Sequence, residues 1–218
     1  MRNIQKGKEP PELLAYRKLP GAHYAGFRDL DALRKCIVEE QRGLCCYCMG
    51  RIHSTAAGMK IEHCESQEQY PARQLDYSNL LGACKGGEGG SRKVQHCDTS
   101  KGGQSLSFNP SASDFDVEAR IQCLGNGKIE ADNDDIRREL EQKLNLNLAM
   151  LVTSRVAVLN AFKAYLKNVK KFDPAKELRK WDGSEAGSLE RYAQIVVYYL
   201  RKKLRIEEQQ RIERQRIK

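Results

Sequence analysis

The spacing of apolar residues changes its period along the chain, and the changes mark the expected elements. Leu30, Leu33, Ile37 and Leu44 recur at helical spacing. Asp29 or Asp31 can cap that helix, which is expected to run to about Gln41 before Gly43 stops it. Residues 59–66 and 77–83 read as two short strands, Met59–His63 and Tyr77–Leu81, joined by a polar loop. Residues 119–131 alternate around Gly125-Asn126-Gly127, a hairpin signal. From Asp132 onward the period is helical, with Ile136, Leu140, Leu144, Leu148, Leu151, Leu159, Phe162 and Leu166 forming one stripe. Asp173-Pro174 and Asp182-Gly183-Ser184 break it, and Leu189, Tyr192, Val196, Leu200 and Leu204 mark a last amphipathic helix. The basic continuation of that helix, residues 201–218, has little to bury. Residues 1–28 are irregular, 85–92 are glycine-rich and expected to be mobile, and 102–114 read as a Gly/Ser/Pro linker.

The chain has 218 residues, enough for one or two domains and for a real core. Its longest apolar run is Ile195-Val196-Val197-Tyr198-Tyr199-Leu200, far short of the ~20 residues of a membrane span. Met1-Arg2-Asn3-Ile4-Gln5-Lys6 carries no apolar leader, so a cytoplasmic, reducing compartment and no membrane partner are expected. The net charge of +9 is uneven: +3 over residues 1–43, −1 over 44–131 and +7 over 132–218. A basic excess attracts phosphate backbones, and if the chain binds nucleic acid the C-terminal helices are expected to supply grip and the middle chemistry. For any single charge run a solvated helix face is the favoured reading.

Eight cysteines are present, and without a secretory signal they read as metal ligands or catalytic groups rather than disulfides. Cys45 and Cys48 form a C-x-x-C pair, whose short spacer lets both thiolates face one tetrahedral ion. Cys84 and Cys97 can complete a closed structural zinc site across the glycine-rich insert. A redox dithiol expects a βαβ setting, and none is visible. Cys46 is an alternative ligand, while Cys36, Cys64 and Cys123 read as core residues.

Between the cysteine pairs stands Glu62-His63, followed by Asn79, Asp98 and Lys101. A neutral imidazole can take a proton from water and a carboxylate can hold a hard divalent cation. Together these groups form a set suited to cleaving phosphodiesters. Singly, each has a plainer reading: a structural histidine, a turn asparagine, a capping aspartate, a surface lysine.

In this order, Cys45-Cys46-Tyr47-Cys48, Ile61-Glu62-His63, Tyr77-Ser78-Asn79-Leu80-Leu81, Cys84 and Cys97-Asp98-Thr99-Ser100-Lys101-Gly102 resemble the HNH (ββα-metal) endonucleases. Pro10-Pro11, Ser107-Phe108-Asn109-Pro110, the Gly125-Asn126-Gly127 hairpin, and Leu144-Asn145-Leu146-Asn147 with Arg155 extend the resemblance. They are similar to the HNH subunit of Septu-type anti-phage defence systems, including those that accompany retrons. The resemblance implies an α+β fold: a small zinc-stapled ββα-metal core with a β-hairpin, then a mainly α-helical C-terminal region. It implies an N-terminal arm (1–28) suited to partner docking, a nuclease core (29–110), a linker and hairpin (111–131) and a basic helical region (132–218).

It further implies His63 as general base, Asn79 orienting it, Glu62 and Asp98 holding a catalytic Mg²⁺ or Mn²⁺, and Lys101 touching a phosphate. Asn or His is commoner in the family where Asp98 stands. The long insert between Cys84 and Cys97 makes His96 a second candidate zinc ligand. The implied partner is an ABC/SMC-like ATPase, joined in retron-linked versions by a reverse transcriptase and its RNA–DNA product. A zinc-stapled adaptor that binds nucleic acid without cutting it is the competing expectation. It accounts for the cysteines and the basic helices but not for Glu62-His63 or Asn79.

Overall fold

The computed structural model describes residues 1–185 and 187–216, so the last two residues of the expected basic helical region lie outside the described ones. The fold is α+β. Its helices are α1 (Pro11–Tyr16), α2 (Leu30–Glu40), α3 (Cys97–Lys101), α4 (Val117–Arg120), α5 (Asp134–Arg138), α6 (Ala149–Lys167), α7 (Pro174–Trp181) and α8 (Ala193–Arg216). Its strands pair as two antiparallel hairpins, β1 (Lys60–His63) with β2 (Leu80–Ala83) and β3 (Ile121–Cys123) with β4 (Ile129–Ala131). None of the described helices is long and apolar enough to cross a membrane.

Helix α2 forms where its apolar spacing predicts and buries Leu33 and Ile37. Its C-cap residue Gln41 has a role that no periodicity announces. The buried Gln41 amide donates to the carbonyls of Leu44 (2.7 Å) and Gly82 (2.8 Å), and its Oε1 accepts from the Gly82 amide (2.6 Å). One side chain therefore ties helix, strand β2 and the start of the cysteine knuckle. Gly82 must be glycine for this: a Cβ would lie 2.9 Å from both Ile37 and Ile52.

The strand register is Glu62 opposite Leu81 and His63 opposite Leu80. The expected second strand begins late. Tyr77–Asn79 is a 3₁₀ turn capped by the Asp76 carboxylate, and pairing starts only at Leu80. The β-rich composition of residues 77–81 yields there to the capping aspartate, which draws in the Ser78 amide and closes the turn.

Residues of the expected N-terminal arm, 1–28, contribute to the core: Met1, Leu13 and Phe27 are buried in one cluster with Leu33, Leu80, Ile121 and Ile129. The 102–114 segment is not a free linker. Phe108 is buried, the Ile4 amide donates to the Pro110 carbonyl (2.8 Å), and Glu139 accepts from both the amide (2.9 Å) and the hydroxyl (2.8 Å) of Ser107. The hairpin is shorter than the alternation at 119–131 suggests, since Asp116 caps one helical turn, α4, in front of β3.

The helical stripe after Asp132 is interrupted. A π-helical turn, Glu139–Lys143, follows α5, and Asn145 takes a left-handed φ of 48° before α6 begins. Arg155 of α6 explains how this break is tolerated. Its buried guanidinium donates to the carbonyls of Leu146 (2.8 Å) and Gly127 (2.9 Å), holding the break and the hairpin turn together. Gly127 sits at φ 83°, and a Cβ there would meet the Val152 carbonyl at 2.5 Å. Helices α6 and α8 close a second cluster around Leu159, Phe162, Ile195, Val196 and Leu200.

Arg155→Met is therefore expected to strand two buried carbonyls and cost about 3 kcal/mol or more, read as a lowered midpoint in urea unfolding.

Candidate functional site

The geometry of the middle of the chain begins with four sulfurs. The Sγ atoms of Cys45, Cys48, Cys84 and Cys97 all lie within 4.8 Å of one another. Cys45 to Cys97 is 3.8 Å and Cys48 to Cys84 is 3.7 Å. A tetrahedral ion with bonds of ~2.3 Å to sulfur sets its ligand sulfurs about 3.8 Å apart, so the group can hold a metal such as zinc. Local sequence builds the knuckle. Cys45 and Gly50 close a turn (2.8 Å), Met49 takes a left-handed φ of 67°, and the Gly50 amide donates to the Cys48 sulfur (3.3 Å). Burial pushes the Cys45 thiol up, but hydrogen bonds from four neighbouring thiols bring its pKa well below the ordinary thiol value. Cys46 is buried outside the group, its amide on the Gly82 carbonyl. His96 is outside it too; its Nδ1 lies 3.2 Å from the Cys97 sulfur, as a neighbour of the cluster.

Four of the five expected catalytic residues line one cleft, and Asn79 does not. Glu62 and His63 end β1, and Asp98 and Lys101 lie on α3, whose first residue is Cys97 of the cysteine cluster. They line a cleft of about 250 Å³ together with Ser66, Gln67 and Glu68. Cys97 adopts φ 55° and its amide donates to the Leu144 carbonyl (2.8 Å). The cysteine cluster thus fixes where α3 starts, and α3 fixes Asp98.

His63 is held in one tautomer. A carbonyl only accepts, so Nε2 carries the proton it donates to the Gln74 carbonyl (2.9 Å). Nδ1 keeps its lone pair, with the Gln67 amide 3.3 Å away. The Tyr24 ring packs edge-on against the imidazole, centroids 4.5 Å apart. Burial lowers the His63 pKa below the ordinary histidine value, against the pull of the Gln74 bond.

Asn79 does not touch His63. Its fully buried amide accepts from the Glu65 amide (2.8 Å) and donates to the carbonyls of Glu65 (2.9 Å) and Arg73 (3.2 Å). It pins residues 65 and 73 of the loop that carries Gln74, whose carbonyl accepts from His63.

The carboxylates carry counter-ions. Glu62 is 2 % exposed, and its Oε1 accepts from the Tyr47 hydroxyl (2.8 Å) and pairs with the Lys101 ammonium (2.8 Å). Lys101, equally enclosed, also donates to the His63 carbonyl (3.1 Å). Its nitrogen therefore faces Glu62 and the end of β1. Asp98 pairs with Lys60 (2.8 Å). Burial and the nearby Asp98 raise the Glu62 pKa well above the usual carboxylate value, with Lys101 pulling the other way. Burial pushes Asp98 up as well, but hydrogen bonds to Glu62 and Lys60 leave its pKa lowered. The two carboxyl groups are close enough to perturb each other and share the cleft with an imidazole.

Gln74, Tyr24, Tyr47 and Lys60 were not among the residues the sequence nominated. Lys60 alone left a usable signal: it stands two positions before Glu62, on the same face of a strand. Compared with models of known protein families and with curated proteins, the chain matches none.

Lys101→Met removes the counter-ion of an enclosed carboxylate. It is expected to lower stability by about 3–5 kcal/mol, whereas Lys101→Met combined with Glu62→Gln recovers part of that loss in the same unfolding assay.

Proposed function

We propose that this chain is a metal-dependent endonuclease of the HNH type, hydrolysing nucleic-acid phosphodiester bonds, with DNA favoured over RNA. The observation that carries the reading is the tautomer of His63. An imidazole that lines a cleft with Glu62, Asp98 and Lys101, its Nε2–H tied to the Gln74 carbonyl and its Nδ1 free of any bond but the long one from the Gln67 amide (3.3 Å), supports the role of general base. The order of a β-hairpin followed by a short helix, stapled by four cysteines, supports the ββα-metal interpretation of the sequence.

In this reading His63 Nδ1 accepts the proton of a water as its oxygen attacks phosphorus. The bond to the 3′ oxygen breaks, and that oxygen takes up a proton from solvent. The Gln74 carbonyl holds the ring in the reactive tautomer, and Asn79 holds the loop that carries Gln74. Glu62 and Asp98 would hold a Mg²⁺ or Mn²⁺, which supplies charge neutralisation at the phosphate and the leaving oxygen. Cys45, Cys48, Cys84 and Cys97 would hold structural zinc, a role separate from the cleft.

The cellular setting rests on the sequence resemblance alone: an effector subunit of an anti-phage complex, working with an ABC/SMC-like ATPase and, in retron-linked systems, a reverse transcriptase with its RNA–DNA product.

The test uses wild type and His63→Ala, each co-expressed with the neighbouring ATPase, on plasmid DNA and total RNA with Mg²⁺ or Mn²⁺. His63→Ala is expected to lose about 10²–10⁴-fold of the cleavage rate with unchanged zinc content. Equal cleavage by both proteins overturns the assignment of the base. Cleavage by neither, with nucleic-acid binding lost only in Cys45→Ala, favours the zinc-stapled adaptor. Cys84→Ser is expected to release zinc and lower the melting temperature, read by metal analysis and calorimetry.

A further inference from the structure

The glycine-rich insert between Cys84 and Cys97 holds no part of the proposed chemistry, yet it is built with care. Gly86 and Gly87 have left-handed φ values of 55° and 73°. A Cβ on either would strike backbone, the His96 carbonyl at 2.0 Å or the Val94 carbonyl at 2.7 Å. The Gly86 carbonyl accepts from the His96 amide (2.9 Å), and the Lys85 carbonyl accepts from the Thr99 hydroxyl (2.8 Å). The insert is therefore folded tightly against the start of α3, and the residue it presents there is Glu88.

Glu88 faces Lys60. The Lys60 ammonium lies 2.8 Å from the Asp98 carboxylate and 3.5 Å from Glu88 Oε1, and it donates to the Thr99 hydroxyl (3.3 Å). Lys85 holds the other Glu88 oxygen (3.0 Å), so Oε1 remains directed at Lys60. The two lysines of the cleft then differ in kind. Lys101 is enclosed, and leaving Glu62 would strand two buried charges. Lys60 is partly exposed and has a second carboxylate within reach.

We infer that Lys60 is the exchangeable counter-ion of Asp98 and that Glu88, presented by the glycine-rich insert, receives it when a divalent cation enters the cleft. The inference rests on the proposed role of Asp98 as a metal ligand. Cation entry is then an exchange of one positive charge for another at Asp98, with Lys60 never left unpaired. The insert lowers the cost of that exchange.

The experiment measures Mn²⁺ binding to the full-length, zinc-loaded chain by electron paramagnetic resonance, without nucleic acid. Lys60→Met removes the competitor and is expected to bind Mn²⁺ about fivefold more tightly, the upper end for a partly exposed ion pair. Glu88→Gln removes the receiving carboxylate and is expected to bind it more weakly than wild type. Asp98→Asn is expected to lose binding. Lys60 and Glu88 are both partly exposed, and zinc content and melting temperature verify that these variants fold. Lys60→Met binding no tighter than wild type, Glu88→Gln binding no weaker, or no Mn²⁺ binding by any of the proteins, overturns the inference. A chain that cuts nothing yet shows both shifts overturns the nuclease reading and leaves this one standing. A chain that cuts with His63 as base yet shows neither shift does the reverse.

Discussion

The meeting of four cysteine sulfurs is the constraint on which the middle of this molecule depends. The sheet beside it is a hairpin of two four-residue strands, a size that is marginal by itself in water. A structural zinc ion on four thiolates contributes on the order of 10–16 kcal/mol, comparable with the ~5–15 kcal/mol that holds a whole domain folded. A metal on this group would therefore decide whether the hairpin and the start of α3 stay together. It would also decide the cleft, because Cys97 and Asp98 are neighbours and Lys101 lies one turn further on. The sulfurs need not touch the cleft to govern where its side chains stand.

Around that centre buried side chains satisfy backbone groups at several points. Gln41, Asn79, Glu139 and Arg155 are buried polar residues, and each serves main-chain groups of segments distant in sequence. The reason is the scarcity of regular structure. Two short hairpins leave many loop carbonyls and amides without ladder partners, and a buried unpaired backbone group costs as much as a lost hydrogen bond. Each clamp converts a loop that composition marks as irregular into a fixed part of the core.

That device also sets how much could be read from the sequence. Helix α2, strand β1, the cysteine spacing and the α6 and α8 stripes follow from local periodicity, and local periodicity is visible in a single chain. The types of residue in the cleft were visible for the same reason, since Glu62, His63, Asp98 and Lys101 carry their chemistry with them. The contacts that complete the cleft were not. Gln74 acts through its carbonyl, which every residue possesses, and Tyr24 reaches His63 from a segment that looked unstructured. The Asn79 amide spans a loop, a geometry with no sequence spacing of its own. Likewise Ser107 and Phe108 are fixed by Glu139 and the core, while their neighbours spell a linker.

Helix α8 ends in a different regime from the one in which it starts. Ala193 to Val197 are buried, whereas residues 205–216 are exposed throughout. At 1.5 Å per residue the exposed stretch is about 18 Å of helix with no neighbour to pack on among the described residues. A dozen residues alone in water are barely helical, and here only pairs such as Arg211–Glu208 (2.8 Å) assist. Backbone amides along α8 should therefore exchange with deuterium on a gradient, slow at Val196 and close to the unprotected rate past Arg205. One covalently continuous helix would then span nearly the whole range of local opening energies that the protein possesses.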